Sequence, residues 1–118
     1  MKKYFEKRIA AFKYAFSGIG WLFRNEAHAL IHLCAAVGVI VAGFLFKISS
    51  LEWCVVCICI GMVFAAEAFN TAIEKLADKI TVENDPLIKT AKDVAAGAVL
   101  FCAIASLIIA AVIFIPKL

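Results

Sequence analysis

Three apolar runs, residues 27–46, 51–73 and 94–115, set the terms on which this 118-residue chain can fold. At about 1.5 Å per residue, some twenty helical residues span a hydrocarbon core of about 30 Å. Hydrocarbon offers no water to backbone N–H and C=O groups, so each run must satisfy its own hydrogen bonds as a helix. Composition agrees, with 65% hydrophobic residues and a mean hydropathy of +1.00. That is too apolar for a water-soluble core of this size, so the chain reads as one all-α integral membrane domain. The five cysteines, Cys34, Cys54, Cys57, Cys59 and Cys102, all lie in apolar runs and read as small apolar residues. No signal peptide is expected, because the first apolar run starts far from Met1.

Residues 2–24 carry a different pattern. Phe5, Ile9, Phe12, Phe16, Ile19 and Phe23 recur at spacings of four and three, and form one stripe. Lys3, Lys7, Tyr14 and Gly18 point the other way. This is the pattern of an amphipathic helix lying in the membrane interface, its basic groups toward lipid headgroups. Lys47 to Ser50 is expected to be a short turn, and the second spanning helix to run on through Lys75 and Asp78 into water. Residues 80–85 break the pattern. Asn84 or Asp85 is the expected N-cap of a third spanning helix, with Pro86 in its first turn and Pro116 as its stop. Trp53 reads as an interfacial anchor in contact with lipid.

Charge placement gives the orientation. Lys2, Lys3, Lys7, Arg8, Lys13 and Arg24 precede the first span, and Lys75, Lys79, Lys89 and Lys92 lie between the second and third. Lys47 and Lys117 alone lie on the other side. Basic residues stay on the cytoplasmic side, so the amino terminus is expected inside and the carboxyl terminus outside a bacterial cytoplasmic membrane. A net charge of +3 spread along a membrane surface calls for no nucleic-acid partner.

The second apolar run ends in a polar stretch, Glu67-Ala-Phe-Asn70-Thr71-Ala-Ile-Glu74. At about 100° per residue, Glu67, Asn70, Thr71, Glu74 and Asp78 share one helical stripe. Ionisable groups within a span are expensive and mark interiors or wet cavities. A seam that merely glues helices together needs fewer of them. The topology gathers this stretch on one membrane face with Asn25-Glu26, Glu83-Asn84-Asp85 and Lys92-Asp93. Carboxylates beside a lysine suit a metal–nucleotide complex, since Mg²⁺ takes one or two carboxylates plus phosphate oxygens and lysine supplies a point charge for phosphates. Glu67 lies two turns deeper than Glu74, about 10 Å along the axis. There it can act as general base on an alcohol held at headgroup level. Glu74, nearer water, suits a cation. A small ion- or proton-relay transport subunit is the alternative that the same geometry allows. No glycine-rich phosphate loop of the soluble type is present, so side chains and helix ends must hold any nucleotide. His28 and His32 share a face but lack a zinc motif, and read as histidines satisfied by neighbouring helices.

Glu67-Ala-Phe-Asn70-Thr71-Ala-Ile-Glu74, followed by Ala91-Lys92-Asp93-Val-Ala-Ala-Gly97, resembles the prokaryotic diacylglycerol kinase family, which includes the Gram-positive undecaprenol kinases. Phe12-Lys-Tyr14-Ala-Phe-Ser-Gly18 and Asn25-Glu26 match its amino-terminal motifs. The resemblance implies a homotrimer of short chains, each with a surface helix and three membrane helices, and active sites formed between chains. It implies transfer of the γ-phosphate of Mg-ATP to the hydroxyl of a membrane lipid, diacylglycerol or undecaprenol. Matched by motif, Glu67 resembles the catalytic base and Asn70 its hydrogen-bonded neighbour, both facing the lipid. Glu26 and Glu74 resemble the metal carboxylates. Lys7 (or Arg8 beside it), Tyr14, Lys92 and Asp93, with Glu26, Glu74 and the loop acids Glu83 and Asp85, are the implied ATP contacts. The segment Asp85-Pro86-Leu-Ile-Lys-Thr-Ala-Lys92-Asp93 looks more like the undecaprenol kinase branch.

Overall fold

Each apolar run forms a helix, and so does the amino-terminal segment. A computed structural model describes residues 1–118 as four α-helices: α1 (Lys2–Asn25), α2 (Ala27–Leu45), α3 (Ser50–Ile80) and α4 (Pro86–Phe114). A single 3₁₀ turn, Ile115–Lys117, carries the chain through Pro116, where the sequence predicted a stop. Helices α2, α3 and α4 are each long and apolar enough to cross a membrane. At about 46 Å, α3 is longer than the hydrocarbon layer is thick, so its last turns reach past it.

The joints follow from local chemistry. A single extended residue, Glu26 (φ −111°, ψ 114°), separates α1 from α2, and its N–H donates to the Leu22 carbonyl to close α1. α2 ends in a Schellman arrangement: the N–H of Ile48 donates to the Gly43 carbonyl at 3.1 Å and that of Lys47 to Phe44 at 3.3 Å. Lys47 takes the left-handed position, φ 51°, which glycine usually fills. Ser49 then caps α3 in a reciprocal box with Glu52. Asp85, not Asn84, caps α4: its Oδ1 accepts from the N–H groups of Leu87 and Ile88 at 2.9 and 3.2 Å.

α3 and α4 pack as an antiparallel pair with an ion pair at each end. Asp78 meets Lys92 beside the connecting loop, and Glu52 meets Lys117 at 2.9 Å at the other end. Between the α2–α3 turn and the end of α4, Ile48, Val56 and Ile113 form a small core with Trp53, Val39 and Phe114 packed on it. Trp53 lies against Phe44, ring centroids 4.8 Å apart, and over the bare backbone of Gly43. At the opposite end Phe23 packs edge-on against Phe64 at 5.4 Å, and the Lys75 ammonium lies 5.3 Å from the Trp21 ring. These contacts dock the last turn of α1 onto α3.

The remainder of α1 has no partner in the chain. Its stripe of Phe5, Ile9, Phe12, Phe16 and Ile19 is between 50% and 70% exposed. Only 12 of 118 residues are buried, and apolar side chains cover the outward faces of α2, α3 and α4. In water such a surface would drive association; beside lipid it is the matching surface.

A methyl group at Gly43 would stand 2.6 Å from the Trp53 ring. Gly43→Ala is therefore expected to destabilise the protein by about 1–3 kcal/mol through overpacking. A melting temperature in detergent equal to that of the wild type would refute the close approach.

Candidate active site

Helix α3 sets the site by its own pitch. Positions 67, 70, 71 and 74 follow at steps of three, one and three, which returns them to one face. That face is turned inward at its deep end: Glu67 is 4% exposed and Thr71 5%, while Asn70 and Glu74 are half-buried. A carboxylate this deep needs a partner, because burial of an unpaired charge is costly. The partner comes from α2. His32 Nε2 lies 3.5 Å from Glu67 Oε2. No other ion pair or hydrogen bond reaches the Glu67 side chain.

Asn70 turns to the shallower acid. Its Nδ2 donates to Glu74 Oε1 at 3.3 Å. Its Oδ1 is buried and accepts nothing. Buried acceptors are nearly always satisfied, so this atom is placed to receive a donor that the folded chain does not supply. Below Glu67, an apolar cavity of about 250 Å³ opens between α2, α3 and α4, lined by His32, Ala36, Val39, Ile60, Val63 and Phe64 among others. Val63 and Ile60 continue the inward stripe of α3 one and two turns beyond Glu67. Glu67 thus stands about one turn beyond Val63 and Phe64, which line the apolar slot, and beside His32, which lines it too.

The other expected site residues divide into two groups. Glu26, at the α1–α2 joint, lies at the same end of the molecule as Glu74, where Trp21 meets Lys75. No cluster of three His, Cys, Asp or Glu side chains exists in the chain. Glu26 and Glu74 are the carboxylates at this end, and one or two carboxylates are what Mg²⁺ takes when phosphate oxygens complete its shell. Lys92 and Asp93 sit at the start of α4, and each has a partner within the chain: Lys92 pairs with Asp78, and Asp93 with Lys89 at 2.6 Å. Asp85 spends one oxygen on the α4 cap, and Glu83 is exposed in the loop.

Three residues expected at the ATP or lipid site stand apart from the Glu67–Glu74 face within one chain. Tyr14 and Lys7 are exposed on α1, nine and sixteen residues before the docked Phe23, about 14 and 24 Å of helix. Trp53, expected to face the same lipid as Glu67 and Asn70, stands fourteen residues earlier on α3, about 21 Å away, packed on Gly43. His32, in contrast, belongs to the site and carries no motif of its own. The signal for it was an ionisable residue within a span, which marks function by default.

Residues 13–114 match the family model of prokaryotic diacylglycerol kinases. The chain belongs to the prokaryotic diacylglycerol kinase family. It is 44% identical over 108 residues to the undecaprenol kinase of Bacillus subtilis, covering 92% of this chain and 88% of that protein. It is 35% identical over 112 residues to the diacylglycerol kinase of a Synechocystis species, covering 93% of this chain and 63% of that protein. Membership makes it a lipid kinase, a phosphotransferase, and does not favour the ion-relay alternative. It also makes ATP the expected co-substrate. The match takes in every proposed site residue except Lys7.

An apolar side chain in place of a buried carboxylate removes its desolvation cost, and His32, 22% exposed as a side chain, is not left buried without a partner. Glu67→Leu is accordingly expected to leave the melting temperature in detergent unchanged or raised by several degrees. A markedly lower value would make Glu67 a structural residue first.

Proposed function

We propose that this chain transfers the γ-phosphate of ATP to the hydroxyl of a membrane lipid, with undecaprenol favoured over diacylglycerol as acceptor. The observation that carries the reading is Glu67, a carboxylate buried within a long apolar helix, one turn from an apolar cavity whose wall includes its partner His32. The higher identity to an undecaprenol kinase, over nearly all of both chains, supports the choice of acceptor.

The chemistry follows from that placement. A lipid enters sideways from the bilayer, its first apolar units in the cavity and its hydroxyl at Glu67. The carboxylate accepts the hydroxyl proton as the oxygen forms its bond to the γ-phosphorus. The bond from that phosphorus to the β–γ bridging oxygen breaks, and ADP departs with the electron pair. Asn70 Oδ1 is free to accept a donor from the lipid or nucleotide, while its Nδ2 donates to Glu74. Glu74 and Glu26 would hold Mg²⁺, which when bound neutralises charge on the phosphates. Lys92 supplies a positive charge that ATP draws from Asp78. Asp93, Glu83 and Asp85 lie on the same membrane face as further nucleotide contacts. Phosphoryl transfer asks for little beyond this positioning and neutralisation.

Tyr14 and Lys7 require a second chain, or a different seat for α1, to reach a nucleotide. Both conditions fit a homotrimer with sites between chains and α1 lying on the cytoplasmic surface. The exposed stripe of α1 and the sparse interior of one chain support this arrangement. The basic residues support an orientation with the amino terminus and the active site in the cytoplasm.

Label from γ-labelled ATP, offered in micelles with undecaprenol or diacylglycerol, is expected in lipid, and more of it in undecaprenol. Glu67→Gln is expected to lower turnover by at least about 100-fold. No label in either lipid from folded wild-type protein, or full activity in the variant, would sink the proposal. Glu74→Gln is expected to raise the Mg²⁺ concentration for half-maximal rate at least about tenfold; an unchanged Mg²⁺ titration would remove Glu74 as a ligand.

A further inference from the structure

A carboxylate base works through one oxygen at a time. The terminal torsion of a glutamate is broad and roughly two-fold, so the side chain alone does not fix which oxygen faces the substrate. In most sites a second hydrogen-bonding group fixes it. On α3 the nearest candidate is Asn70, but its N–H group is given to Glu74, not to Glu67. Thr71 makes no hydrogen bond to Glu67 either. What remains is His32, from across the helix interface.

We infer that His32 is a positioning residue for Glu67: its Nε2–H holds Oε2 from the α2 side and leaves Oε1 free to take the lipid hydroxyl proton. The inference rests on the kinase reading above and adds to it a residue that no sequence motif marks. Three observations carry it. Nε2 is the only side-chain nitrogen paired with the carboxylate, at 3.5 Å from Oε2. His32 is itself only 22% exposed as a side chain, so it is not a surface group that happens to pass nearby. It also lines the apolar cavity below Glu67, so its ring forms part of the wall along which the lipid must arrive. The separation is longer than a formed hydrogen bond. Such contacts are often loose in an empty site and tighten once substrate is bound.

The chemistry demands only a donor at that point. Glutamine places an amide N–H close to where the imidazole has Nε2, and it does not titrate. Alanine places nothing there. The pair His32→Gln and His32→Ala therefore separates a fixed donor from a proton-carrying or merely space-filling ring.

The test is steady-state phosphotransfer by the full chain in lipid micelles, with size-exclusion profile and melting temperature as controls on assembly. His32→Ala is expected to lower kcat by about 10- to 100-fold, the usual effect of a misplaced reacting group. KM for ATP and for lipid is expected to stay within about threefold. His32→Gln is expected to recover kcat to within about fivefold of wild type. A wild-type kcat in His32→Ala overturns the inference. So does a His32→Gln variant as slow as His32→Ala, which would make the ring itself or its titration the essential property. A change confined to KM also overturns it. Should His32→Ala fail to assemble, His32→Asn, whose shorter stem cannot reach Oε2, takes its place against His32→Gln. Failure of the kinase reading shows differently, as wild-type protein that labels no lipid, and would overturn both together.

Discussion

A charged group inside a hydrocarbon layer must be answered by another helix. Glu67 states that requirement in this chain, and much of the fold is arranged around meeting it. α3 carries the carboxylate inward. α2 approaches closely enough to set His32 beside it. Phe64, one turn deeper, receives Phe23 and so fixes where α1 ends. The rest of the interior is sparse, with small residues such as Ala29 and Ala36 among the few that are buried. Within the spans the fold keeps its polar side-chain contacts to the inward face of α3, sets its other ion pairs at the helix ends, and leaves its outer surface to apolar side chains. Function and stability pull apart at that point, since a leucine in place of Glu67 would suit the surroundings better and could do nothing with a proton.

The helices were legible because what makes them is local. An apolar run of about twenty residues has few ways to satisfy its backbone in lipid, and the amino-terminal stripe repeats at helical spacing. The cap at Asp85 and the start at Pro86 were equally local, although the choice between Asn84 and Asp85 was settled only by which side chain reaches the free N–H groups of Leu87 and Ile88. The turn at Lys47 was not fully legible. Its left-handed residue is a lysine, and it is tolerated there because Ile48 closes the motif onto Gly43. The Ser49–Glu52 box was written in plain spacing, but it is overshadowed by the apolar run it introduces.

The site was legible along α3 and illegible across it. Helical pitch alone aligns Glu67, Asn70, Thr71 and Glu74. Nothing in the spacing says that His32, thirty-five positions earlier, would meet Glu67, because that contact depends on how two helices lean together. The same holds for Lys92. Its charge was visible, but its pairing with Asp78 belongs to the α3–α4 packing. Lys7 and Tyr14 mark the opposite limit. The family resemblance implies that they contact the nucleotide, yet in one chain α1 carries them away from the docked end at Phe23. A sequence resemblance reports what an assembled site needs, not which copy of the chain supplies each part.

The joint between α1 and α2 has a mechanical consequence. Only Glu26 is non-helical there, so essentially two torsions set the angle between the first helix and the spanning bundle. The residue that serves as the elbow is also one of the two carboxylates proposed to hold the cation. A swing of α1 about those torsions would turn the Glu26 side chain relative to the spanning helices. One extended residue thereby couples the direction of the first helix to the placement of an acidic side chain, so that two torsions do the work of a hinge and of a pointer at once.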